Sequence, residues 1–185
     1  MGGPAAKIIL PAPEVLRGQR TLIRGEVNTG KTLLLAQALQ GLLAAGEEDL
    51  AVLDLAPPLT RGVGGKMGGP WPRPVRYYTA ELAAPRLSGR TPQEVLSLAQ
   101  DNARRLEHLF AQYLRHPARV LFINDVSMYL QAGELEELER VLEASRTVVV
   151  NGYYGRSLGG GELGERERAQ MDALARLCQR VIFTG

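Results

Sequence analysis

The sequence predicts a three-layer α/β/α sandwich built on a mainly parallel, five-stranded sheet. Short apolar runs that suit buried strands alternate along the chain with longer segments whose apolar residues recur at helical spacing. Because a helix between two strands of one sheet makes those strands parallel, this alternation indicates helices on both faces of the sheet. The length of 185 residues suits a single domain spanning residues 1–185.

The composition is that of an ordinary globular protein. Hydrophobic residues make up 45% and charged residues 23% of the chain, which argues against disorder, collagen-like repeats and coiled coils. The formal net charge of +2 gives no strong signal for nucleic acid, although a local basic stripe is compatible with a near-neutral total. No apolar stretch approaches the ~18 residues of a membrane helix, so we expect a cytoplasmic protein without a membrane partner.

Two strands and one helix are predicted in the first third of the chain. Residues 20–24 form a core strand, 31–45 carry leucines and alanines at helical spacing, and 50–55 are typical of a buried parallel strand. Residues 61–74 hold five glycines and three prolines, so we predict a loop that is long enough to need a functional explanation. Residues 75–79 are a candidate for one further short strand.

The remaining predicted elements continue the alternation. Thr91-Pro92-Gln93-Glu94 is a capping box, and it begins a helix that we expect to end near Arg115. After it come strand 120–123, helix 134–144, strand 147–150, helix 165–180 and strand 181–183. A second glycine-rich loop is predicted near residues 152–164.

A glycine-rich segment joins the first predicted strand to the first predicted helix. It matches the pattern G-x-x-x-x-G-K-[ST], and its residues are Gly25, Glu26, Val27, Asn28, Thr29, Gly30, Lys31 and Thr32. We expect Gly25 and Gly30 to permit the backbone angles that turn N–H groups inward as an anion-binding nest. Lys31 would place a positive charge at the β- and γ-phosphates, and the Thr32 hydroxyl would bind Mg²⁺.

With this motif the sequence resembles the P-loop nucleoside triphosphatase superfamily, in which residues 25–32 correspond to the Walker A motif. The resemblance implies ATP and Mg²⁺ as cofactors and a phosphate-binding role for the whole loop. The Asn-Lys-x-Asp motif that reads guanine in GTPases is absent. A GTPase is therefore disfavoured. The resemblance is closer to the RecA and AAA+ branch, because five core strands are predicted, with a Walker B-like segment on the third and a polar residue at the end of the fourth.

The segment from Arg119 to Asp125 resembles the Walker B strand, in which apolar residues precede an acidic Mg²⁺ residue. If Asp125 takes that position, Val126 stands where many ATPases of the superfamily have a catalytic glutamate. If Asn124 takes it, Asp125 replaces that glutamate and would polarise the attacking water. Neighbouring side chains of a strand point to opposite faces, so only one of the two can face Thr32. We favour Asp125, because a carboxylate is the better ligand for a hard cation.

Two more candidates follow the fourth predicted strand. Asn151 resembles the polar residue that senses the γ-phosphate in RecA and AAA+ proteins, where this strand lies between the Walker A and Walker B strands. Arg156 lies in the predicted loop 152–164, which we expect to be mobile without nucleotide, and its guanidinium suits paired hydrogen bonds with phosphate oxygens. The candidate catalytic residues are therefore Lys31, Asp125, Asn151 and Arg156.

The sequence supports three functions. The first is a Mg²⁺-dependent ATP-binding protein that acts as an ATPase or a nucleotide-dependent switch. The second is a P-loop kinase for a nucleoside, a nucleic-acid end or a small metabolite, with Asp54 as the base for the acceptor and Trp71, Tyr77 and Tyr78 as stacking surfaces. The third is a non-hydrolysing subunit that uses ATP to order its loops.

Strand order separates the first two functions. An Asn151 strand between the P-loop strand and the Asp125 strand favours the ATPase branch, whereas direct contact between the latter two favours the kinase branch. A protein partner or a homo-oligomer is compatible with each function.

Overall fold

Six parallel strands form one sheet in the computed structural model, which describes residues 8–185; the first seven residues of the predicted domain lie outside this range. In chain order the strands are β1 (Arg20–Gly25), β2 (Leu50–Asp54), β3 (Arg76–Thr79), β4 (Val120–Asn124), β5 (Thr147–Tyr153) and β6 (Arg180–Phe183). Their order in space is β3-β2-β4-β5-β1-β6, and every pairing is parallel. The predicted α/β class with a mainly parallel sheet is confirmed.

The sheet has one strand more than the five predicted. The additional strand is β3, which comes from the candidate run 75–79 and pairs with β2 at the edge of the sheet. Its side chains are only partly buried or exposed. It therefore lacks the continuous apolar run by which a central parallel strand is recognised in a sequence.

Seven helices connect or flank these strands within residues 8–185. They are α1 (Pro13–Leu16), α2 (Lys31–Ala44), α3 (Pro85–Ser88), α4 (Pro92–Leu114), α5 (Ser127–Leu130), α6 (Leu135–Glu143) and α7 (Gly161–Arg176). The Thr91 hydroxyl accepts the Glu94 N–H at 3.2 Å, which confirms the predicted cap of α4. In the described part of the chain, no helix has the length and apolar character needed to cross a membrane.

Alternate residues of the central strands face two separate hydrophobic cores. Leu121 and Val148 belong to the core that contains buried residues of α4, α6 and α7. Their neighbours Phe122 and Val149 belong to the core that contains buried residues of α1 and α2. Because successive side chains of a strand point to opposite faces, this alternation produces the three layers.

The last third of the chain differs from its predicted boundaries. β5 continues to Tyr153, which pairs with Gly25 of β1, and α7 begins at Gly161 rather than four residues later. The loop predicted over 152–164 is therefore reduced to residues 154–160. Asn151 and Gly152 are buried inside the strand.

Phe122→Ala should destabilise the protein far more than Phe183→Ala. Phe122 is fully buried on the central strand β4, whereas Phe183 on the edge strand β6 is 52% exposed. We expect the free energy of unfolding to fall by about 3–5 kcal/mol for Phe122→Ala and by less than about 1.5 kcal/mol for Phe183→Ala. Urea unfolding of both variants measures this difference, and equal losses would contradict the position of the core.

Candidate functional site

The loop of residues 25–32 turns sharply between β1 and α2. Asn28 and Gly30 have φ angles of 56° and 82°, in the left-handed region. Glycine adopts this region freely, and asparagine is one of the few other residues that tolerate it. Helix α2 begins directly afterwards at Lys31, so N–H groups of its first turn lack partners within the helix. The loop thus has the geometry of an anion-binding turn at a helix N-terminus.

Gly25 is required here for space rather than for its backbone angle, which corrects the expectation from sequence. Its φ is not positive, and a Cβ at this position would lie 2.3 Å from the Thr184 hydroxyl oxygen. That hydroxyl is in turn 2.7 Å from the Thr29 hydroxyl. The absence of a side chain at Gly25 therefore lets the end of the chain hold the loop in place.

The Lys31 ammonium lies over the loop itself. It donates hydrogen bonds to the Glu26 carbonyl oxygen and, at 3.4 Å, to the Thr29 hydroxyl. Burial lowers the pKa of Lys31, while the nearby carboxylates of Asp125 and Glu26 act in the opposite direction. A phosphate oxygen accepts more strongly than these neutral groups, so an anionic ligand can replace them.

Thr32 faces Asn124 rather than Asp125. The Thr32 hydroxyl donates to the Asn124 amide oxygen at 3.3 Å. Strand β4 ends at Asn124, and the chain then turns at Asp125 with a φ of 58°. This is the second of the two arrangements that the sequence allowed. The preference for Asp125 as the residue that faces Thr32 finds no support in this contact.

Asp125 is held in a tight turn beyond β4. Its N–H donates to the Asn151 amide oxygen at 2.6 Å, and its carboxylate accepts from the Ser127 hydroxyl at 2.6 Å. Burial raises the pKa of the Asp125 carboxyl, against the lowering effects of the Ser127 hydrogen bond and of the Lys31 charge. A carboxyl with a raised pKa accepts a proton more readily than an ordinary aspartate, as a general base must.

Asn151 lies on the strand that separates the two motif strands. β5 lies between β1 and β4, which is the strand order expected for the ATPase branch. Asn151 is 2% exposed, and its amide oxygen is engaged by the Asp125 N–H. Its side chain therefore fixes the turn at the end of the neighbouring strand.

These residues meet in a cavity of about 390 Å³ at the carboxyl ends of the strands. Lys31, Thr32, Asn124, Asp125 and Asn151 all line it. The structure thus brings together four of the five side chains that the sequence favoured as catalytic or metal-binding, and adds to them Asn124, the alternative metal residue. The fifth, Arg156, is not among the lining residues.

Arg86 is a cavity residue that the sequence analysis missed. Its guanidinium forms two hydrogen bonds with the Glu167 carboxylate, at 3.0 and 3.2 Å, and Gln131 donates to the same carboxylate at 2.8 Å. The Glu167 side chain is buried at 4% exposure, and the Arg86 side chain is largely withdrawn from solvent at 12% exposure. Arg86 lies close enough to Asp125 for its charge to lower the pKa of that carboxyl. No local sequence pattern marks it, because its partners come from distant helices.

The loop 154–160 contacts the loop of residues 25–32, called the P-loop below, through Glu26. The Glu26 carboxylate accepts from the Arg156 N–H at 2.6 Å and from the Ser157 hydroxyl at 2.5 Å. A Cβ on Gly155 would overlap that carboxylate, so the backbone approaches it closely. Arg156 is exposed, and it meets the P-loop through its backbone N–H.

The aromatic side chains near the loop 61–74 pack into the protein, so the expectation that they form open stacking surfaces is not supported. The rings of Trp71 and Tyr77 are 5.5 Å apart, and Tyr78 meets Tyr113 edge-on at 5.8 Å. Trp71 and Tyr77 pack against the core beside α2, and Tyr78 against the opposite core.

Comparisons with known proteins bear on the fold. No protein-family model matches the chain, and no curated protein sequence matches it significantly. The crystal structure of the flagellar accessory protein FlaH from Methanocaldococcus jannaschii is similar with a TM-score of 0.50 and 11% identity, over 90% of this chain and 71% of FlaH. The Pif1 helicase from Candida albicans matches over 96% of this chain and 39% of the helicase, with a TM-score of 0.45 and 18% identity. At such identities the likeness shows the fold alone, an α/β fold with a mainly parallel sheet.

Glu26→Ala should release the loop 154–160 at neutral pH. Hydrogen bonds from Ser157 and Arg156 lower the pKa of Glu26 from 4.5, so the contact persists at neutral pH and is lost only as the pH falls through the lowered value. We expect amide hydrogen exchange at Arg156 to be at least about threefold faster in the variant at pH 7, and equal to wild type in strong acid. Glu162→Ala on α7 is the control variant, and it should leave exchange at Arg156 at the wild-type rate. If Arg156 exchanges at the same rate in Glu26→Ala and in wild type at pH 7, the contact is contradicted.

Proposed function

We propose that the chain is a Mg²⁺-dependent nucleoside triphosphate-binding protein, with ATP as the nucleotide, that acts as an ATPase or a nucleotide-dependent switch. The observation that carries this proposal is the contact between Thr32 of the P-loop and Asn124 at the end of β4, within one cavity. This contact joins a phosphate-binding turn to the strand end where the superfamily places its metal and its base. The position of β5 between β1 and β4 supports the ATPase branch.

The phosphates would bind the N–H groups of the loop and the Lys31 ammonium. Phosphate oxygens would take the place of the Glu26 carbonyl oxygen and the Thr29 hydroxyl, which the ammonium now contacts. The cavity volume lies within the ~300–1,000 Å³ that is usual for small-molecule sites. The helix N-terminus below adds a favourable dipole.

The residues around Thr32 fit a magnesium ion. No group of three or more His, Cys, Asp or Glu side chains in residues 8–185 is arranged to hold a metal. Mg²⁺ needs no such group, because it keeps several waters and is held by phosphates together with one or two protein side chains, among them the Ser/Thr of the phosphate-binding loop. The Thr32 hydroxyl is such a ligand, and the Asn124 amide oxygen is the strand-end oxygen that it contacts, so we assign the metal-facing position to Asn124. When bound, the ion would neutralise negative charge on the phosphates.

With Asn124 in that position, Asp125 takes the role of the base. Its raised pKa favours uptake of a proton from the attacking water. Asn151 fixes the turn that presents it. Arg86 is our candidate for stabilising the negative charge on the transferring phosphoryl group, because it lines the cavity and Arg156 does not.

The kinase alternative is weakened by the surroundings of Asp54. This carboxylate is fully buried and accepts hydrogen bonds from Tyr77, Met67 and Asn124. It has no exposed oxygen that could take a proton from an acceptor substrate. A protein partner, a homo-oligomer and a cytoplasmic location stay predictions.

Lys31→Ala and Asp125→Asn should separate binding from turnover. Lys31→Ala removes the charge that contacts the phosphates, so we expect triphosphate affinity to fall about 10- to 100-fold. Asp125→Asn cannot accept the proton, so we expect hydrolysis to fall about 100-fold with affinity nearly intact. Calorimetric titration and phosphate release measure the two effects. An unchanged affinity in Lys31→Ala would refute the phosphate site, and full turnover in Asp125→Asn would refute the base.

Arg86 variants should slow hydrolysis more than Arg156→Ala does. Because Arg86→Ala would leave the buried Glu167 unpaired and thereby destabilise the fold, the informative variant is Arg86→Ala/Glu167→Gln. We expect its hydrolysis rate to be at least about tenfold below that of Arg156→Ala, at similar diphosphate affinity. The reverse order of rates would return the role to Arg156, and thermal unfolding controls for stability.

A further inference from the structure

A line of hydrogen bonds runs from β2 through β4 to the P-loop. Asp54 and Asn124 are paired neighbours in the register of β2 and β4. The Asn124 amide nitrogen donates to Asp54 Oδ1 at 2.9 Å, and the Asn124 amide oxygen accepts from Thr32 at 3.3 Å. Asp54 has no role in the function proposed above, although it is buried at the centre of the molecule.

The Asp54 carboxylate determines which way the Asn124 amide faces. An ionised carboxylate only accepts hydrogen bonds, whereas an amide has one donating end and one accepting end. With Asp54 on one side, the Asn124 nitrogen must face Asp54, and the oxygen must face Thr32. Asn124 therefore presents toward the P-loop the end that can bind a cation.

Asp54 is itself held in one orientation. Its Oδ2 accepts from the Tyr77 hydroxyl at 2.6 Å and from the Met67 N–H at 2.5 Å. Burial and the hydrogen bond to Asp54 raise the pKa of Tyr77, which keeps this hydroxyl a donor. These two hydrogen bonds fix the carboxylate so that its other oxygen, Oδ1, accepts from the Asn124 amide.

The negative charge of Asp54 has no directly bonded cation among the described residues. Lys66 is close enough to interact with it electrostatically, but its ammonium donates to two carbonyl oxygens and to the Thr79 hydroxyl. A buried carboxylate that lacks a bonded cation is costly. A divalent cation beside Thr32 and Asn124 would offset this cost.

We propose that Asp54 is a positioning residue for the metal. It orients the Asn124 amide so that the amide oxygen faces the metal position. Because Asn124 is itself neutral, Asp54 also supplies the negative charge nearby that favours a cation. The inference rests on the proposed function, because it requires Mg²⁺ near Thr32 and Asn124. Partners that orient metal ligands typically change metal affinity about 10- to 100-fold.

A carboxylate–amide exchange between the two positions tests this inference. The variants are Asp54→Asn, Asn124→Asp and Asp54→Asn/Asn124→Asp, and the control is Asp101→Asn, which alters a half-exposed carboxylate on α4. Binding of a non-hydrolysable ATP analogue is measured by calorimetry in EDTA and across a Mg²⁺ titration. The readout is the half-saturating Mg²⁺ concentration, which does not depend on turnover. Thermal unfolding without nucleotide reports folding.

We expect Asp54→Asn to raise the half-saturating Mg²⁺ concentration at least about tenfold and to leave analogue binding in EDTA unchanged. Asn124→Asp places two carboxylates in hydrogen-bond contact, so it should lower the unfolding temperature and give no tighter Mg²⁺ response. The double exchange should restore the unfolding temperature, and its Mg²⁺ response should be at least as tight as that of the wild type, because a carboxylate is the better ligand for a hard cation. The new amide at position 54 can donate to the carboxylate at position 124 while its oxygen accepts from Tyr77.

Two results overturn the inference alone: a double exchange as impaired as the worse single variant, or a Mg²⁺ response of Asp54→Asn equal to that of Asp101→Asn. A wild-type protein that binds the analogue without any response to Mg²⁺ overturns the proposed magnesium site and the inference with it. If Asp54→Asn does not fold, Tyr77→Phe replaces it. Loss of that donor should raise the Mg²⁺ requirement about two- to threefold, and no change overturns the inference.

Discussion

The candidate site depends on the parallel register of four neighbouring strands, in which β2 pairs with β4, β4 with β5 and β5 with β1. Ile23 is paired with Asn151, and Asp54 is paired with Asn124. Because side chains alternate between the two faces of a strand, a slip of one residue would turn Asn124 away from Thr32. The same slip would move the apolar side chains of that strand from one hydrophobic core to the other. The packing that stabilises the fold therefore also fixes the geometry of the cavity.

Charges of both signs lie partly or fully buried around this cavity, in compensating positions. Lys31 lies near Asp125, and Arg86 is paired with Glu167. Each of these charges would be costly if it were buried alone. A nucleotide bound with a metal ion carries both signs as well. Such a ligand can interact with the cations and the carboxylates at the same time, and a simple anion would satisfy only the former.

Much of the fold was predictable from local patterns. The central strands are continuous apolar runs, and the P-loop and the cap of α4 have signatures confined to a few adjacent residues. The edge strand β3 was marked only weakly, because partial exposure leaves no apolar run. The start of α7 was missed, because glycines at 161 and 164 are poor helix formers and tertiary packing overrides that preference.

The details of the site were less accessible to sequence reasoning. The choice between Asn124 and Asp125 depends on where β4 ends, and a shift of one residue leaves the apolar pattern unchanged. Arg86 meets Glu167 across a separation of 81 residues, which no local motif records. The need for glycine at position 25 comes from Thr184 at the far end of the chain. In each case the missing information was a contact between distant segments.

The link between Glu26 and the loop 154–160 has a consequence for the thermodynamics of ligand binding. Fixing a free backbone costs about 1–2 kcal/mol per residue, and a loop that orders only around its ligand subtracts that amount from the affinity. Here the loop is already attached to Glu26 through the Arg156 N–H and the Ser157 hydroxyl. For these residues, which the sequence led us to expect to be mobile without nucleotide, the loss of conformational entropy would then occur during folding. The proposed nucleotide would meet a surface that is already arranged, and its own contacts would govern the lifetime of the complex.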